Sequence, residues 1–369
     1  MVALESAIPE HLARERTCPM AMKETWQPPY PSYSARFDPS RIDLTMFVLG
    51  VQAPADSAAA SGATARKASG GHSAREAIQE HCTAFLETTD RTEAVAFRDQ
   101  SEFVDAAGAL NRMVICYLDV GSDGSADRLR RRWLEGSGSR PDWGFYVEEI
   151  RPSLDRVETL YSSDHVQGVG HLADSLSGEI REHGYWWSAR DRMPGAQQDR
   201  LDPEPGVTDV VSGSLVVHEV ENLCLIRSGQ DWSETSGEER ALYLDEVEPT
   251  LRVGMDYLTV DGAEIGGIAN RYARVLDESG RAIDQSFGLS WWRSMAELDA
   301  WAKDHPTHKA IFGVAMRYLG EHGGSGHLKL THEVFVVERA RGRFEYRNCH
   351  PGTGLLAAGR VPSSGAAGG

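Results

Sequence analysis

The stretch NLCLIRSGQDW, residues 222–232, has the alternation of a β-strand. Cys224, Ile226 and Ser228 fall on one face, because successive side chains of a strand point to opposite sides. A long helical pattern follows, EERALYLDEVEPTLRVGMDYL, and then two strand patterns, GGIANRYARVLD and QSFGLSWW. Two further helices and a last strand, HLKLTHEVFVV, complete the segment. The order β-α-β-β-α-β is typical of a ferredoxin-like unit.

The first half of the chain has the same order of elements. The strand MFVLGVQ leads to a helix over residues 73–87, and the strands EAVAFRD and RMVICYLD lead to the helix that begins SADRLRRRW. We therefore predict an α+β fold of the dimeric α+β barrel type, with two tandem ferredoxin-like units in each chain. Such a barrel leaves a hollow between sheet and helices in which a ligand can lie.

The predicted organisation has four parts. Residues 1–40, rich in proline, tyrosine and arginine, are expected to form an extended arm on the surface. The first unit spans 41–205 and contains a flexible insertion of small polar residues at 53–71. The second unit spans 206–356, and we expect a disordered tail over 357–369.

Charge and composition exclude several classes of protein. The chain of 369 residues has a formal net charge of −17, which argues against nucleic acid as a partner. Its five cysteines are scattered and show no CxxC spacing, so neither a disulfide framework nor a zinc site is expected. The N-terminus has no signal-peptide core, and no stretch approaches the ~20 apolar residues of a membrane span. We predict a soluble cytoplasmic protein.

The segment DHPTHKAIF contains two histidines three residues apart. Pro306 suits the first position of a helix, and it keeps His305 out of helical geometry. His308 lies in the first turn and heads an apolar stripe that continues through Ile311 and Ala315. A neutral imidazole in that position suits an axial ligand of a flat apolar cofactor such as haem, but the spacing alone favours a core or capping histidine.

Two polar residues fall on otherwise apolar strand faces. In HLKLTHEVFVV, alternation places His332 between Leu330 and Val334, where burial would lower its pKa. This histidine is either an acid–base group or a hydrogen-bonded core residue. Ser228, at the end of its strand, either binds a ligand or caps the next segment, since no GxSxG motif accompanies it.

The stretch GEIREHGYWWSARDR, residues 178–192, concentrates charged and aromatic residues. It contains Glu179, Glu182, His183, Arg190 and Arg192 within fifteen positions. This composition fits a binding site for an anion or a polar substrate, and it also fits a solvated turn.

Eight segments, in order along the chain, resemble one family. They are VETLY, SGEIREHGYW, RDR, ENLCLIRSGQDW, ERALYLDEVEPTLRVGMDYL, HPTHKAIF, LKLTHEV and NCHPGTGLL. The chain resembles the aldoxime dehydratases, b-haem lyases that convert aldoximes to nitriles. The resemblance extends over most of residues 1–356 and is densest from about residue 157 onward.

The resemblance implies a set of site residues. His308 would be the proximal ligand of the haem iron, and His332 the distal catalytic histidine. Ser228 would hold the oxime hydroxyl. Glu158 and Arg192 would complete the distal network, although the short RDR block leaves open whether Arg190 or Arg192 enters it.

The resemblance also implies a reaction, R–CH=N–OH → R–C≡N + H2O, with the oxime nitrogen bound to ferrous haem b. The partners would be a small aldoxime and a second copy of the chain in a homodimer. Three alternatives stay open: a peroxidase or chlorite-degrading haem enzyme on a similar barrel, a non-catalytic haem carrier or sensor, and a cofactor-free barrel. The sequence does not reveal whether an aryl-aliphatic or an alkyl aldoxime is preferred.

Overall fold

The computed structural model describes residues 4–23, 25–53, 73–89, 95–119, 124–184, 188–322 and 326–360. Nearly all of the predicted insertion at 53–71, and residues 361–369 of the predicted tail, lie outside these ranges. The first residues of that tail belong to a short 3-10 helix, Gly354–Arg360.

The described chain contains both α-helices and β-strands, so the predicted α+β class is confirmed. The strands are β1 Ala35–Arg36, β2 Thr45–Ala53, β3 Val95–Val104, β4 Leu110–Leu118, β5 Gly144–Ile150, β6 Val157–Tyr161, β7 Ser175–Leu176, β8 Val207–Val211, β9 Ser214–His218, β10 Leu223–Asp231, β11 Gly267–Leu276, β12 Ala282–Trp292, β13 Lys329–Val337 and β14 Gly342–Arg347. The α-helices are α1 Ala74–Thr89, α2 Ser125–Glu135, α3 Ala189–Arg192, α4 Gly237–Leu242, α5 Glu248–Val260, α6 Met295–Asp304 and α7 Pro306–Glu321.

Twelve of these strands form one antiparallel sheet, in the order β6-β13-β10-β12-β11-β3-β4-β2-β5-β14-β9-β8. The four central strands of the second half, β13-β10-β12-β11, follow the order fourth, first, third, second. Those of the first half follow the same order when they are read from the other end, as β5-β2-β4-β3. The predicted barrel-like arrangement is not shown, because the hydrogen-bonded order is that of a large open sheet. Strands outside the two repeats extend it: β6 at one end, and β14, β9 and β8 at the other.

The inner face of this sheet carries the main hydrophobic core. Val48 and Ile115 of the first half belong to the same buried cluster as Leu225, Phe287 and Phe335 of the second half. The sheet therefore bends so that its two halves bury their inner faces against each other, removing apolar area from water.

Buried ion pairs cross between the halves within this core. The Arg271 guanidinium donates two hydrogen bonds to the Glu148 carboxylate, at 2.5 and 2.7 Å, and the Trp291 indole donates a third at 2.8 Å. Arg227 likewise pairs with Asp99. In both cases the arginine comes from the second half and the carboxylate from the first.

The outer faces of the two halves differ. In the first half, α1 and α2 cover the sheet, and fully buried side chains such as Trp133, Phe47 and Cys82 fill the space beneath them. In the second half, α5, α6 and α7 cover the sheet but leave a cavity.

The long helix predicted in the second half contains a π-helical turn, Tyr243–Val247, between α4 and α5. Pro249 follows this turn and has no backbone N–H, so the regular ladder of hydrogen bonds is interrupted there. Tyr243 and Val247 of the wider turn both line the cavity.

Among the helices of the described ranges, none combines the length and apolar character that crossing a membrane requires.

Candidate functional site

The cavity of the second half lies between the outer face of β10, β12 and β13 and the helices α5, α6 and α7. It comprises about 1000 Å³ of space, part of it open to solvent, and most of its lining is apolar, including Ile226, Leu251, Met255, Trp292 and Leu298. A few polar side chains also face it: Ser228 and His332 from the sheet, and His308 from the opposite, helical side. A flat apolar ligand between a helix and a sheet would contact both sides.

The start of α7 positions His308. Pro306 is the first residue of the helix, and His305 is the N-cap, whose Nδ1 accepts a hydrogen bond from the Thr307 amide at 3.3 Å. The His305 ring packs on Tyr257, with ring centroids 4.4 Å apart. As predicted, His305 lies outside the helix, as its N-cap, while His308 lies in the first turn.

His308 itself is buried, with its ring edge-on to Trp301 at a centroid distance of 4.6 Å. Burial lowers the pKa of His308 to about 4, although a hydrogen bond with the backbone of Ala302 opposes the shift. The imidazole is consequently neutral at physiological pH, which is the form that binds iron.

Strand register brings Ser228 and His332 together. Ser228 on β10 lies directly opposite His332 on β13 and opposite Gly288 on β12, so the three residues share the face that lines the cavity. Any β-carbon at Gly288 would lie 2.8 Å from the Met255 sulfur, so glycine keeps the space beside Ser228 open.

A buried network holds the His332 ring. Its Nε2 atom is 3.0 Å from a Glu158 carboxylate oxygen and 3.1 Å from Nη2 of Arg192. Arg192 also donates to Glu158 through Nε, and through Nη1 to the Glu182 carbonyl at 2.8 Å and to Ser188 Oγ at 2.6 Å. Glu158, Arg192 and His332 are each at most 2% exposed.

The charges in this network shift one another's pKa values. Burial, the largest influence, favours the protonated form of Glu158, but Arg192 and His332 together lower its pKa, so it is a carboxylate. Burial lowers the pKa of His332, while the carboxylate of Glu158 opposes that shift and Arg192 adds to it. A protonated Nε2 donates to Glu158, and a deprotonated Nε2 accepts from Arg192, so both forms of the ring have a partner.

The structure distinguishes the two arginines of the RDR block. Arg190 pairs with Asp299 at 3.2 Å and donates to the Arg200 carbonyl at 2.9 Å, away from His332. Arg192 is the arginine of the network. The surrounding stretch is not a solvated turn, because Asp191 and Glu182 are also buried.

A second chamber of about 690 Å³ adjoins the first. Tyr318, Leu319, Leu328, Leu330 and His332 line both spaces. Sequence patterns did not reveal the second chamber, because its remaining walls come from separate parts of the chain.

Part of that wall is the N-terminal arm, through Tyr30, Pro31 and Ser32. The arm is fixed by Asp191, whose carboxylate accepts hydrogen bonds from the amides of Ala21 and Met22, both at 2.8 Å. Its contact with the site was missed, since an extended segment without periodicity gives no signal of its packing partner.

Comparison with known proteins identifies the family. The model of the family described as haem-containing dehydratase matches residues 48–355. The chain is 36% identical to an aliphatic aldoxime dehydratase of Pseudomonas chlororaphis and 37% identical to one of Rhodococcus globerulus, covering 96% of this chain and 98% of each relative. It is 34% identical to a phenylacetaldoxime dehydratase of a Bacillus species, over 63% of this chain and 68% of the relative.

Solved structures agree with these relatives. A crystal structure of an aldoxime dehydratase in complex with butyraldoxime superposes with a TM-score of 0.83 at 35% identity, covering 96% of both chains. A second aldoxime dehydratase structure gives a TM-score of 0.80, also at 35% identity, over 96% of this chain and 98% of the other.

Proposed function

Because this chain belongs to the family of haem-containing dehydratases, we propose that it is a lyase that dehydrates aldoximes to nitriles, R–CH=N–OH → R–C≡N + H2O. One observation carries the proposal most directly. A buried, neutral His308 lies across a single apolar cavity from Ser228 and from the Glu158–Arg192–His332 network.

The cavity suits haem b, and His308 is the residue that would hold its iron. The apolar lining suits a porphyrin, and a neutral buried imidazole suits an iron ligand. When bound, haem with ferrous iron supplies the centre that holds the oxime nitrogen and the electron density that weakens the N–O bond.

Ser228 holds and directs the oxime oxygen. Its hydroxyl lies on the cavity face, directly opposite His332 in the sheet, so an oxygen bound to Ser228 is also close to the histidine ring. This position fixes the direction from which the leaving hydroxyl receives its proton.

His332 acts first as the acid and then as the base. With the Nε2 proton directed to Glu158, the imidazolium carries its second proton on Nδ1 and gives it to the oxime hydroxyl, which leaves as water. The neutral ring then takes the proton from the oxime carbon on the same nitrogen. One histidine therefore serves both transfers, since the first transfer creates the base that the second requires.

Glu158 and Arg192 are positioning residues in this scheme. The carboxylate orients the ring and favours the imidazolium, while the guanidinium stabilises the carboxylate. The second chamber, which shares His332 with the first, receives the substituent R of the substrate.

The decisive experiment is anaerobic. The purified protein is reduced with dithionite, phenylacetaldoxime is added, the Soret band is followed, and nitrile is assayed. We expect a shift of the band and nitrile formation that depends on the reductant. Colourless protein, or turnover that requires peroxide, would contradict the proposal and favour a cofactor-free protein or a peroxidase.

We also infer that residues 41–205 and 206–356 are each a ferredoxin-like unit and that two chains form a homodimer. The strand order within each half supports the first inference. Sedimentation of the purified protein tests the second, and a monomer at micromolar concentration would contradict it. The cytoplasmic location predicted from the sequence stays a prediction.

A further inference from the structure

The second chamber is more polar than the haem-sized cavity beside it. Along with the leucines at 319, 328 and 330, it is lined by Tyr30, Ser32, Ser162, His183 and Thr331. Ser32, Ser162 and Thr331 have hydrogen-bond partners within the protein, whereas His183 has a second ring nitrogen that can accept from a substrate.

The hydrogen bonds of His183 determine which ring nitrogen carries its proton. The Ser32 hydroxyl donates to the Pro31 carbonyl at 2.8 Å, so its oxygen accepts from Nδ1 of His183 at 2.7 Å. The Tyr30 carbonyl, which can only accept, is 3.4 Å from the same Nδ1. The Tyr30 contact requires the proton on Nδ1, and the Ser32 contact is compatible with it, so Nε2 of the neutral ring is a hydrogen-bond acceptor. Ser32 Oγ lies 3.5 Å from this Nε2 atom.

The backbone around His183 is also fixed. The Trp26 indole donates to the His183 carbonyl at 2.9 Å, and the Gly184 amide donates to Ser188 Oγ at 2.9 Å. Burial lowers the pKa of His183 to about 4, and the charge of Arg192 adds to the effect. The ring is therefore held in one place and is neutral at physiological pH.

We propose that His183 determines specificity, by accepting through Nε2 a hydrogen bond from a donor on the remote end of the aldoxime substituent. The substrate class is an aldoxime whose carbon skeleton ends in a hydroxyl or N–H group, such as a hydroxyaryl acetaldoxime. This inference rests on the proposed function, because it assigns the substituent R to the second chamber. A site that satisfies such a donor discriminates against the analogue that lacks it, since the buried acceptor is then unpaired.

The test compares 4-hydroxyphenylacetaldoxime with phenylacetaldoxime, as the ratio of their kcat/KM values on each enzyme. We expect the wild-type enzyme to favour the hydroxylated substrate by about 10-fold or more, the effect of one satisfied buried hydrogen bond. His183→Phe keeps the ring shape without the acceptor, so the ratio should fall close to one, with the change mainly in KM. His183→Gln keeps an acceptor and should retain part of the preference.

The matched control is His171→Phe, because His171 stacks on Phe97 and faces a different cavity. That variant should keep the wild-type ratio. If His183→Phe is insoluble, Ser32→Ala removes the closer partner of Nδ1 and should also lower the ratio.

Two results would overturn the proposal: a wild-type ratio near one, or a ratio that His183→Phe leaves unchanged. Both are distinct from a failure of the proposed function, in which neither aldoxime yields nitrile. Because the ratio is internal to each enzyme, a general loss of activity does not affect it.

Discussion

At the scale of the residue, the site depends on His332 having a partner in each protonation state. In the proposed cycle Nε2 keeps its proton and donates to Glu158 throughout, while Nδ1 gives up and regains the transferred proton. The ring therefore keeps its orientation through a proton cycle, which is what a single acid–base group needs.

His332→Ala is expected to keep haem and to lower the rate of nitrile formation by at least ~10², the usual loss when an acid–base group is removed. Haem should remain because its proposed ligand, His308, lies on the opposite side of the cavity. The measurements are the ferrous spectrum and the rate of nitrile formation. Near wild-type turnover would remove His332 from the mechanism.

His308→Ala is expected to yield folded protein without the haem spectrum, because His308 is the imidazole that faces the cavity from α7. The measurement is the Soret absorbance per chain after reconstitution. If the variant kept a normal ferrous histidine-ligated spectrum, another residue would have to bind the iron, with His305 as the first candidate.

Glu158→Gln is expected to shift the pH profile of kcat/KM to lower pH. The carboxylate raises the pKa of His332 against the effect of burial, so its removal lowers that pKa further. The imidazolium is then populated only at more acidic pH, and the activity that requires it moves in that direction. An unchanged profile would show that another group sets the alkaline limb.

Periodicity alone predicted the positions of His308 and His332, because each lies on a regular element with a clear apolar face. The network roles of Glu158 and Arg192 came only from the resemblance, since these residues lie on a short strand and a four-residue helix whose packing no local pattern reveals. Arg192 had otherwise been noted only in the crowded stretch 178–192. His183 was noted only as a member of a crowded stretch. Its role depends on the arm more than 150 residues earlier.

At the scale of the element, α5 and α7 pack closely against each other and line the helical side of the cavity. Gly254 of α5 faces Ile311 of α7, and a β-carbon at Gly254 would lie 2.6 Å from Ile311 Cδ1. The glycine therefore sets how closely the helix that carries His308 approaches its neighbour.

Gly254→Val is expected to push α7 away from α5, lower the Tm and weaken haem binding, as overpacking typically costs ~1–3 kcal/mol. Gly313→Val is the matched control, because a β-carbon at Gly313 of α7 meets nothing within 4 Å. The control should stay within about 0.5 kcal/mol of wild type, as exposed helix positions do. Calorimetry and haem titration measure both effects. Equal behaviour of the two variants would contradict the packing argument.

The π-helical turn is the detail of these elements that the sequence did not reveal. Helical periodicity runs through Tyr243 and Val247, so the pattern predicts one continuous helix. Pro249 was the available signal. A proline predicts an interruption of the helical hydrogen bonds, but it does not predict whether the helix kinks, ends or widens there.

At the scale of the whole molecule, two halves with the same strand order have different outer layers. Trp133 and its neighbours fill the first half, whereas the corresponding region of the second half is hollow. Element order predicted the repeat, because it depends only on local patterns. The open sheet was not predicted, since β8, β9 and β14 join it through contacts between distant segments.

Glu148→Gln is expected to destabilise the protein by roughly 3–5 kcal/mol, because it leaves Arg271 as an uncompensated buried charge between the halves. Glu204→Gln is the control: it removes an exposed partner of Arg339 and should cost no more than ~1 kcal/mol. Chemical denaturation measures both. A loss for Glu148→Gln no larger than the control would show that the pair does not hold the halves together.

The arm that walls the second chamber has a consequence for the order of folding during synthesis. Ser32 leaves the ribosome 151 residues before its partner His183. At about 5–20 residues per second the arm would wait roughly 8–30 s for the surface it binds. The strands that carry Ser228 and His332 emerge later still. The arm is therefore exposed to proteases and chaperones while it waits, and docking of this early segment belongs to the late steps of folding.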